Sequence, residues 1–505
     1  MGKSKTPSFT ADIKIRTSKY DKWYLSDIMD IVEKLYNKGV KHYIPIVEEL
    51  KNDAWFIYSY EKWKSLKEDD PERKIWASEI SLCISAYKLN EFDVHAYFDG
   101  VRVNSLPGAV GCNIGQKAGT ALHKSINKAI FQGTKIHYRK YGTTISFEDK
   151  KANSGIILKK DEWTVTIMGR KFNLKPIRKK DYWLQEAMTR RIKYCRVIRK
   201  ATKSGYDYYV QAVLEGVSPK KHKRGNGTCG LDEGTSCIAY VNDDEAVFEV
   251  LADGVEKYDR EIIKAAVKYE RRMRMANPDC YNEDGTIKKG AKMKVRTHNA
   301  IKALFELKNA YRRRSAFIRD EHGRILNHLV EGCYEVVKEP MNFKALQKRS
   351  KSKATRQDKE TVIKTKNNKI KSVRKFKRKK RYGRSISRRA PGKFNELLMQ
   401  KATQYDISVV DVDIKKYRAS QYDHTTGQYI KPDLSARGKK VGGHRVQRDL
   451  YSGYLLKNYK TIEEPDQNKC KKDFKKFLKQ QGKVVNKVKK HGDTTGNFGL
   501  KTFFA

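Results

Sequence analysis

The sequence predicts a multidomain α+β chain: a small β-barrel interrupted by a helical insertion, followed by an α/β domain. Three observations carry this reading. An alternating segment near the N-terminus gives way to helical periodicity, short period-two segments then fill the middle, and from residue 229 onward strand-like and helix-like patterns alternate. At 505 residues the chain has room for about two to four domains, because single cores stop growing well before this length.

Residues 8–17 alternate as a strand would, so segment 1–17 supplies a first barrel strand. From Tyr24 to Tyr36 (YLSDIMDIVEKLY) apolar residues recur at three and four, and the period returns near 41–66, 75–91 and 114–131, which marks 18–133 as a helical domain. Between about 134 and 216 the period becomes two, in GTTISFED, EWTVTIMGRKFNLKPI, YCRVIRKA and YDYYVQAVLEG, with turn residues between them. Short strands at this spacing predict a small barrel over 134–217 that the N-terminal strand would complete. The basic, glycine-containing SPKKHKRGNGT, 218–228, reads as a linker.

A hairpin-like stretch follows at 229–250, then helical patterns at 256–278 and 292–330, then an apolar strand at 332–338. Residues 344–384 are the most biased of the chain, with 19 Lys or Arg against two acids. Such a run is either a solvated, disordered loop or a segment that orders along a phosphate backbone. PGKFNELLMQKATQYD opens with Pro391 and reads as a helix feeding the strand ISVVDVDI; a polar stretch over 415–445 precedes a helix carrying Asp449, and the Lys-rich tail 461–490 is helical in part.

The chain holds 109 Lys plus Arg against 59 Asp plus Glu, a formal net charge of +50. A field of that sign points to a polyphosphate partner, and the 29 tyrosines offer stacking surfaces for unpaired bases. The N-terminal MGKSKTPSF lacks the apolar core of a signal peptide and no lipid-anchoring helix is evident, so a soluble, cytoplasmic protein is expected. The eight cysteines include no C-x-x-C pair and have no histidine at finger spacing, which argues against a zinc ribbon or a disulfide framework.

Three acids stand at the edges of hydrophobic elements. Asp232 lies in TCGLDEGTSCIAYV, Glu339 ends CYEVVKE before Pro340, and Asp449 sits in HRVQRDLYSGYLL, at separations of 107 and 110 residues. Taken singly they have ordinary readings as a turn residue, a strand-end charge and a helix-dipole partner. Together, on separate elements of an α/β sheet, they can converge as oxygen ligands for hard cations, the arrangement that metal-dependent phosphodiesterases need. Asp411 and Asp413, at the end of VVDVD, read as strand-end residues.

The order and local motifs of these acids resemble the RuvC-type nuclease of TnpB, the transposon-encoded RNA-guided nuclease, and of its relatives, the compact type V CRISPR effectors. GLDEG is similar to the family's first motif, VVKEPMNFKAL to its second, and Arg448-Asp449-Leu450-Tyr451 to its third. NIGQKAGTALHKSINKAIF and PGKFNELLMQKATQYDISVVDVDIKKYRASQ, with Ser420 and Gln421 at its Ser-Gln turn, extend the similarity to roughly residues 113–141 and 228–460. Two departures are evident. The stretch QYDHTTGQYIKPDLSARGKKVGG has no cysteine where most relatives hold zinc, and Tyr451-Ser452-Gly453 replaces the usual Asn-Ala-Ala.

The resemblance implies a wedge-like barrel over 134–217 with a helical recognition insertion over 18–133. It further implies an RNase H-like (RuvC) nuclease domain formed by 229–413 and 446–460, with a basic loop at 344–385. Residues 414–445 become a zinc-less target-loading lobe and 461–505 a basic tail. The implied catalytic residues, and ligands of two Mg²⁺ ions, are Asp232, Glu339 and Asp449; no zinc is expected. Nucleic-acid contacts are expected from Lys377, Arg378, Lys379, Lys380, Arg381, Arg384, Ser420 and Gln421. The implied partners are a guide RNA and double-stranded target DNA, and the implied activity is RNA-guided DNA cleavage. The alternative is an RNA-guided repressor or an RNA-binding protein without cleavage. The aromatics Trp23, Tyr24, Trp55, Tyr58, Tyr60 and Trp63, at near-helical spacing, have two readings, helical core or nucleic-acid contact.

Overall fold

Alternation in SFTADIK forms strand β1 (Ser8–Lys14), with Ala11 and Ile13 buried. Ser18 then starts α1 (Lys19–Asn52) through a reciprocal capping box: its hydroxyl accepts the Asp21 N–H at 3.1 Å, and the Asp21 carboxylate accepts the Ser18 N–H at 2.8 Å. The structure is a computed structural model that describes residues 6–99, 108–140, 142–148, 155–347, 355–364, 370–376, 382–431, 433, 436–493 and 496–500. The chain divides into two units. The first comprises Met1–Pro219 and Arg272–Asn309, the second Lys220–Arg271 and Ala310–Ala505.

In the first unit α1 is followed by α2 (Ala54–Ser65), α3 (Glu72–Ala86), α4 (Glu91–Asp99) and α5 (Gly108–Gln132). Leu25, Met29, Val40, Phe98, Leu122 and Ile126 are fully buried among them. Then come β2 (Ser146–Glu148), β3 (Ile156–Lys159), β4 (Thr164–Ile167), β5 (Arg170–Asn173), α6 (Tyr182–Thr189), β6 (Ile192–Ala201) and β7 (Tyr206–Glu215). β1 pairs antiparallel with β7, from Ser8↔Glu215 to Lys14↔Tyr209, within a four-stranded sheet of order β1-β7-β6-β2.

The expected barrel is not closed by hydrogen bonds among the described residues. β3, β4 and β5 form a separate three-stranded meander, and Ile15↔Leu174 is the isolated bridge between it and the chain leaving β1. The meander strands are four residues each, too short to continue both edges of the larger sheet. Sequence reading also passed over α6, which Asp181 caps by accepting the Leu184 N–H at 3.2 Å.

The second unit is built on a five-stranded sheet of order β10-β9-β8-β11-β14. β8 (Gly227–Glu233), β9 (Cys237–Val241) and β10 (Ala246–Val250) form an antiparallel meander. Helices α7 (Glu256–Ala276) and α8 (His298–Gly332), each contributing residues to both units, then lead to β11 (Cys333–Lys338), which runs parallel to β8. Next come α9 (Phe343–Gln347), the antiparallel pair β12 (Thr355–Lys364) and β13 (Ile370–Phe376), α10 (Gly383–Arg389) and α11 (Pro391–Tyr405). β14 (Ser408–Asp411) closes the sheet, parallel to β11. The segment read as a basic loop therefore contains a β-hairpin; TVIK and IKSV carry β-branched residues of high strand propensity among the surrounding lysines.

Helix α12 (Ile414–Tyr417) and two short hairpins, β15 (Tyr422–Asp423) with β16 (Gln428–Tyr429) and β17 (Gly438–Val441) with β18 (His444–Gln447), fill the stretch that has no cysteine. Helices α13 (Arg448–Lys457) and α14 (Gln467–His491) complete the unit. Alternation assigns each strand residue to a face. Cys229, Leu231, Ile238, Tyr240 and Val336 pack with α8 and α11, whereas Ala239 and Val241 pack on the opposite side with α13 and α14. Among the described residues no helix is long and apolar enough to cross a membrane, and the seven described cysteines are free thiols.

Candidate active site

Pairing register places the first two acids side by side. Lys338 of β11 lies opposite Leu231 of β8, so the next residue on each strand, Glu339 and Asp232, stands at the same level at the ends of two parallel strands. Leu231 belongs to the core on the α11 side, so Asp232, one residue on, faces α13; its partner on β9 is Ala239, which packs with α13.

Helix α13 supplies the third acid. Gln447 is its N-cap, accepting the Leu450 N–H at 2.7 Å, which sets Asp449 in the first turn, where the helix dipole favours a carboxylate. The helix can lie close to β8 because both contact points are glycines. A Cβ on Gly230 would stand 2.0 Å from the Gly453 carbonyl oxygen and 2.2 Å from the Lys457 nitrogen. Leu450, Tyr454 and Leu455 bury the remainder of that face. Gly453, which departs from the usual motif in sequence, is thus the contact that brings Asp449 toward Asp232.

Asp232, Glu339 and Asp449 line one cavity of about 330 Å³, together with Ser420, Gln421, Lys431, Arg437, Arg448, Phe248 and Asn497. Burial raises the Asp232 carboxyl well above the usual carboxylate range, and the charges of Asp449 and Glu339 raise it further against the opposing pull of Arg448. Burial also raises Glu339, while the Ala419 N–H, donating to its Oε1 at 3.2 Å, lowers it. That bond fixes the Ser-Gln turn beside the second acid. Asp449 is held by cations: Arg448 Nε lies 3.3 Å from its Oδ1 and Arg437 3.9 Å from its Oδ2, with Gln447 Nε2 donating to Oδ2 at 3.3 Å.

This donor set is all oxygen, and its mutual repulsion would be relieved by a hard cation. The chemistry of the residues therefore fits a magnesium-type ion. The cage is not preassembled, however: among the described residues no group of three His, Cys, Asp or Glu side chains has the geometry to hold a metal ion as it stands.

Of the other expected contacts, Ser420 and Gln421 lie in the cavity wall. Arg384 is exposed on α10 and does not line it, although its neighbour Ser385 donates to the Thr235 carbonyl at 3.2 Å and so ties α10 to the turn after Asp232. Lys377, Arg378, Lys379, Lys380 and Arg381 lie outside the described residues. Asp411 pairs with Lys338 at 3.3 Å and Asp413 caps α12, so both serve the ends of elements. Sequence reasoning missed Arg437, Lys431, Phe248 and Asn497, which no local motif distinguishes. It also missed Glu233, which points to the opposite face, accepts an amide hydrogen of Asn395 at 2.7 Å and is pushed up to about 7 by burial.

No protein-family model matches the chain, and no curated protein matches it at a significant level. Among solved structures, the chain is similar to Cas12f1 in a complex with sgRNA and target DNA, with a TM-score of 0.42 and 11% identity over 90% of this chain and 99% of that one. A CRISPR-Cas12f ternary complex gives a TM-score of 0.27 and 13% identity over 88% and 86%. The mini-RNA-guided endonuclease CRISPR-Cas_phi3 gives 0.33 and 10% over 91% and 94%. Scores this low leave residue roles to be read from this chain's own geometry.

Proposed function

We propose that the protein is an RNA-guided DNA endonuclease whose second unit is an RNase H-like, RuvC-type nuclease. One observation carries this reading: three acids separated by 107 and 110 residues meet in one cavity, at the ends of two parallel strands and the start of a helix. The meander followed by two parallel strands is the sheet order such a domain needs, and a net charge of +50 suits a protein that must hold RNA and DNA together. The solved structures named above are of RNA-guided effectors, in keeping with the guide RNA and target DNA proposed here as partners.

Asp232, Glu339 and Asp449 would hold two magnesium ions, which when bound supply an activated water and stabilise the leaving oxygen. The chain's own residues prepare for this. Glu339 is oriented by the Ala419 N–H and Asp232 is fixed by strand pairing. Arg448 and Arg437, which lie against Asp449 here, would turn to a substrate phosphate and release the carboxylate. A non-cleaving, RNA-guided binder is the second reading, favoured by this arginine-bound state of Asp449.

The test is to purify the full chain with its co-bound RNA, sequence that RNA, and incubate the complex with magnesium and matching DNA. Guide-directed cutting that Asp232→Ala abolishes without loss of DNA binding supports the nuclease. Cutting at the normal rate by Asp232→Ala overturns the site assignment, and tight RNA binding without cutting selects the second reading.

A further inference from the structure

Helix α14 presents an unusual pair of faces. Cys470, Phe477, Val484 and Val485 are buried, and the Gln481 side chain accepts the Gln447 N–H at 2.8 Å and donates to the Arg445 carbonyl at 3.1 Å. The inner face is thereby braced on the N-cap of α13, two residues from Asp449. The outer face carries Lys472, Lys475, Lys476, Lys479 and Lys483, all exposed. At about 100° per residue these five fall within a sector roughly 100° wide. Among the described residues none of the five pairs with an acidic side chain, whereas Lys487 further along reaches Glu249 at 3.5 Å.

Five like charges on one face repel one another and stabilise neither helix nor core, so the row calls for an external counter-charge. The row is about 16 Å long at ~1.5 Å per residue. A DNA strand advances ~3.4 Å along the duplex axis per phosphate, so that length runs beside about five base-pair steps. None of the large exposed hydrophobic side chains falls on α14, which leaves no means of stacking on bases or inserting into a bilayer.

We infer that the lysine row of α14 is a docking surface for the phosphate backbone of duplex DNA. The commitment to DNA rests on the nuclease reading, since the helix is braced on the element that carries Asp449.

The experiment uses the full chain, without magnesium, and a fluorescent 30-base-pair duplex of arbitrary sequence titrated across a salt series. A variant with all five lysines changed to Gln is compared with one in which five exposed lysines of the first unit, Lys288, Lys289, Lys292, Lys294 and Lys302, are changed likewise. Each phosphate contact contributes ~0.9 to the slope of log K against log salt. The α14 variant is expected to lose at least 10-fold in affinity and about three or more in slope, with the control close to the parent. Equal losses in both variants would show a net-charge effect and overturn the proposal, as would an unchanged slope or a loss confined to a structured RNA probe. Because binding is read without metal, a failure of cleavage chemistry leaves this result distinct.

Discussion

Glu33 is only 3% exposed, and its hydrogen bonds explain how a carboxyl group is accommodated there. Its carboxylate accepts the backbone N–H groups of Gly142, Thr143 and Thr144 at 3.1, 3.0 and 3.1 Å, closing a turn more than a hundred residues away. Lys308 secures the same turn by donating to the Gly142 carbonyl at 2.9 Å. Glu33→Ala leaves three amides unpaired and should cost on the order of 3 kcal/mol, visible as a lower melting temperature and as lost hydrogen-exchange protection at residues 142–144. At the acid cluster the pH dependence follows from the raised carboxyls. Asp232 and Glu339 must be ionised to hold a cation, and both have pKa values above the ordinary carboxylate range. Cleavage is therefore expected to fall earlier, as pH is lowered, than for ordinary carboxylates. A rate that stays constant down to pH 4 would contradict the assignment.

Among the elements, β8 and α13 are joined backbone to backbone. Gly230→Ala would drive a methyl group into the Gly453 carbonyl and the Lys457 nitrogen. The cost should exceed ~3 kcal/mol, and cleavage should be lost even in the folded fraction because Asp449 is pushed away from Asp232. The lobe without cysteine is held by an aromatic cluster in which His424 Nδ1 lies 2.7 Å from the Tyr451 hydroxyl and its ring packs 4.6 Å from Phe474. Burial lowers His424 to about 4. The unfolded chain takes up the proton at about 6.5, so stability is complete above that pH and is lost as pH falls from 6.5 toward 4, by up to ~3 kcal/mol. His424→Phe should remove that acid sensitivity in denaturation measured across this window; an unchanged pH profile would show that the histidine is not its source.

For the whole molecule, the charge of +50 predicts that DNA affinity falls by ~10³ or more between about 50 and 200 mM salt. Chelating magnesium with EDTA should stop cleavage while leaving DNA bound, as a filter-binding assay beside a cleavage gel would record. The sequence by itself determined the net charge of +50, the three acids and their order, and the run of strands and helices around them, because charge and hydrophobic period are written locally. Even there, lysines hid the β12–β13 hairpin, and short strands suggested a closed barrel that their hydrogen bonding does not form. Only the tertiary structure decided that β11 lies parallel to β8, so that Glu339 stands level with Asp232, and that Gly230 and Gly453 admit α13. It alone placed Arg437 against Asp449 and turned the lysines of α14 outward. The physical reason is that pairing register and close backbone approach are settled between segments far apart in the chain, where no local pattern records the partner.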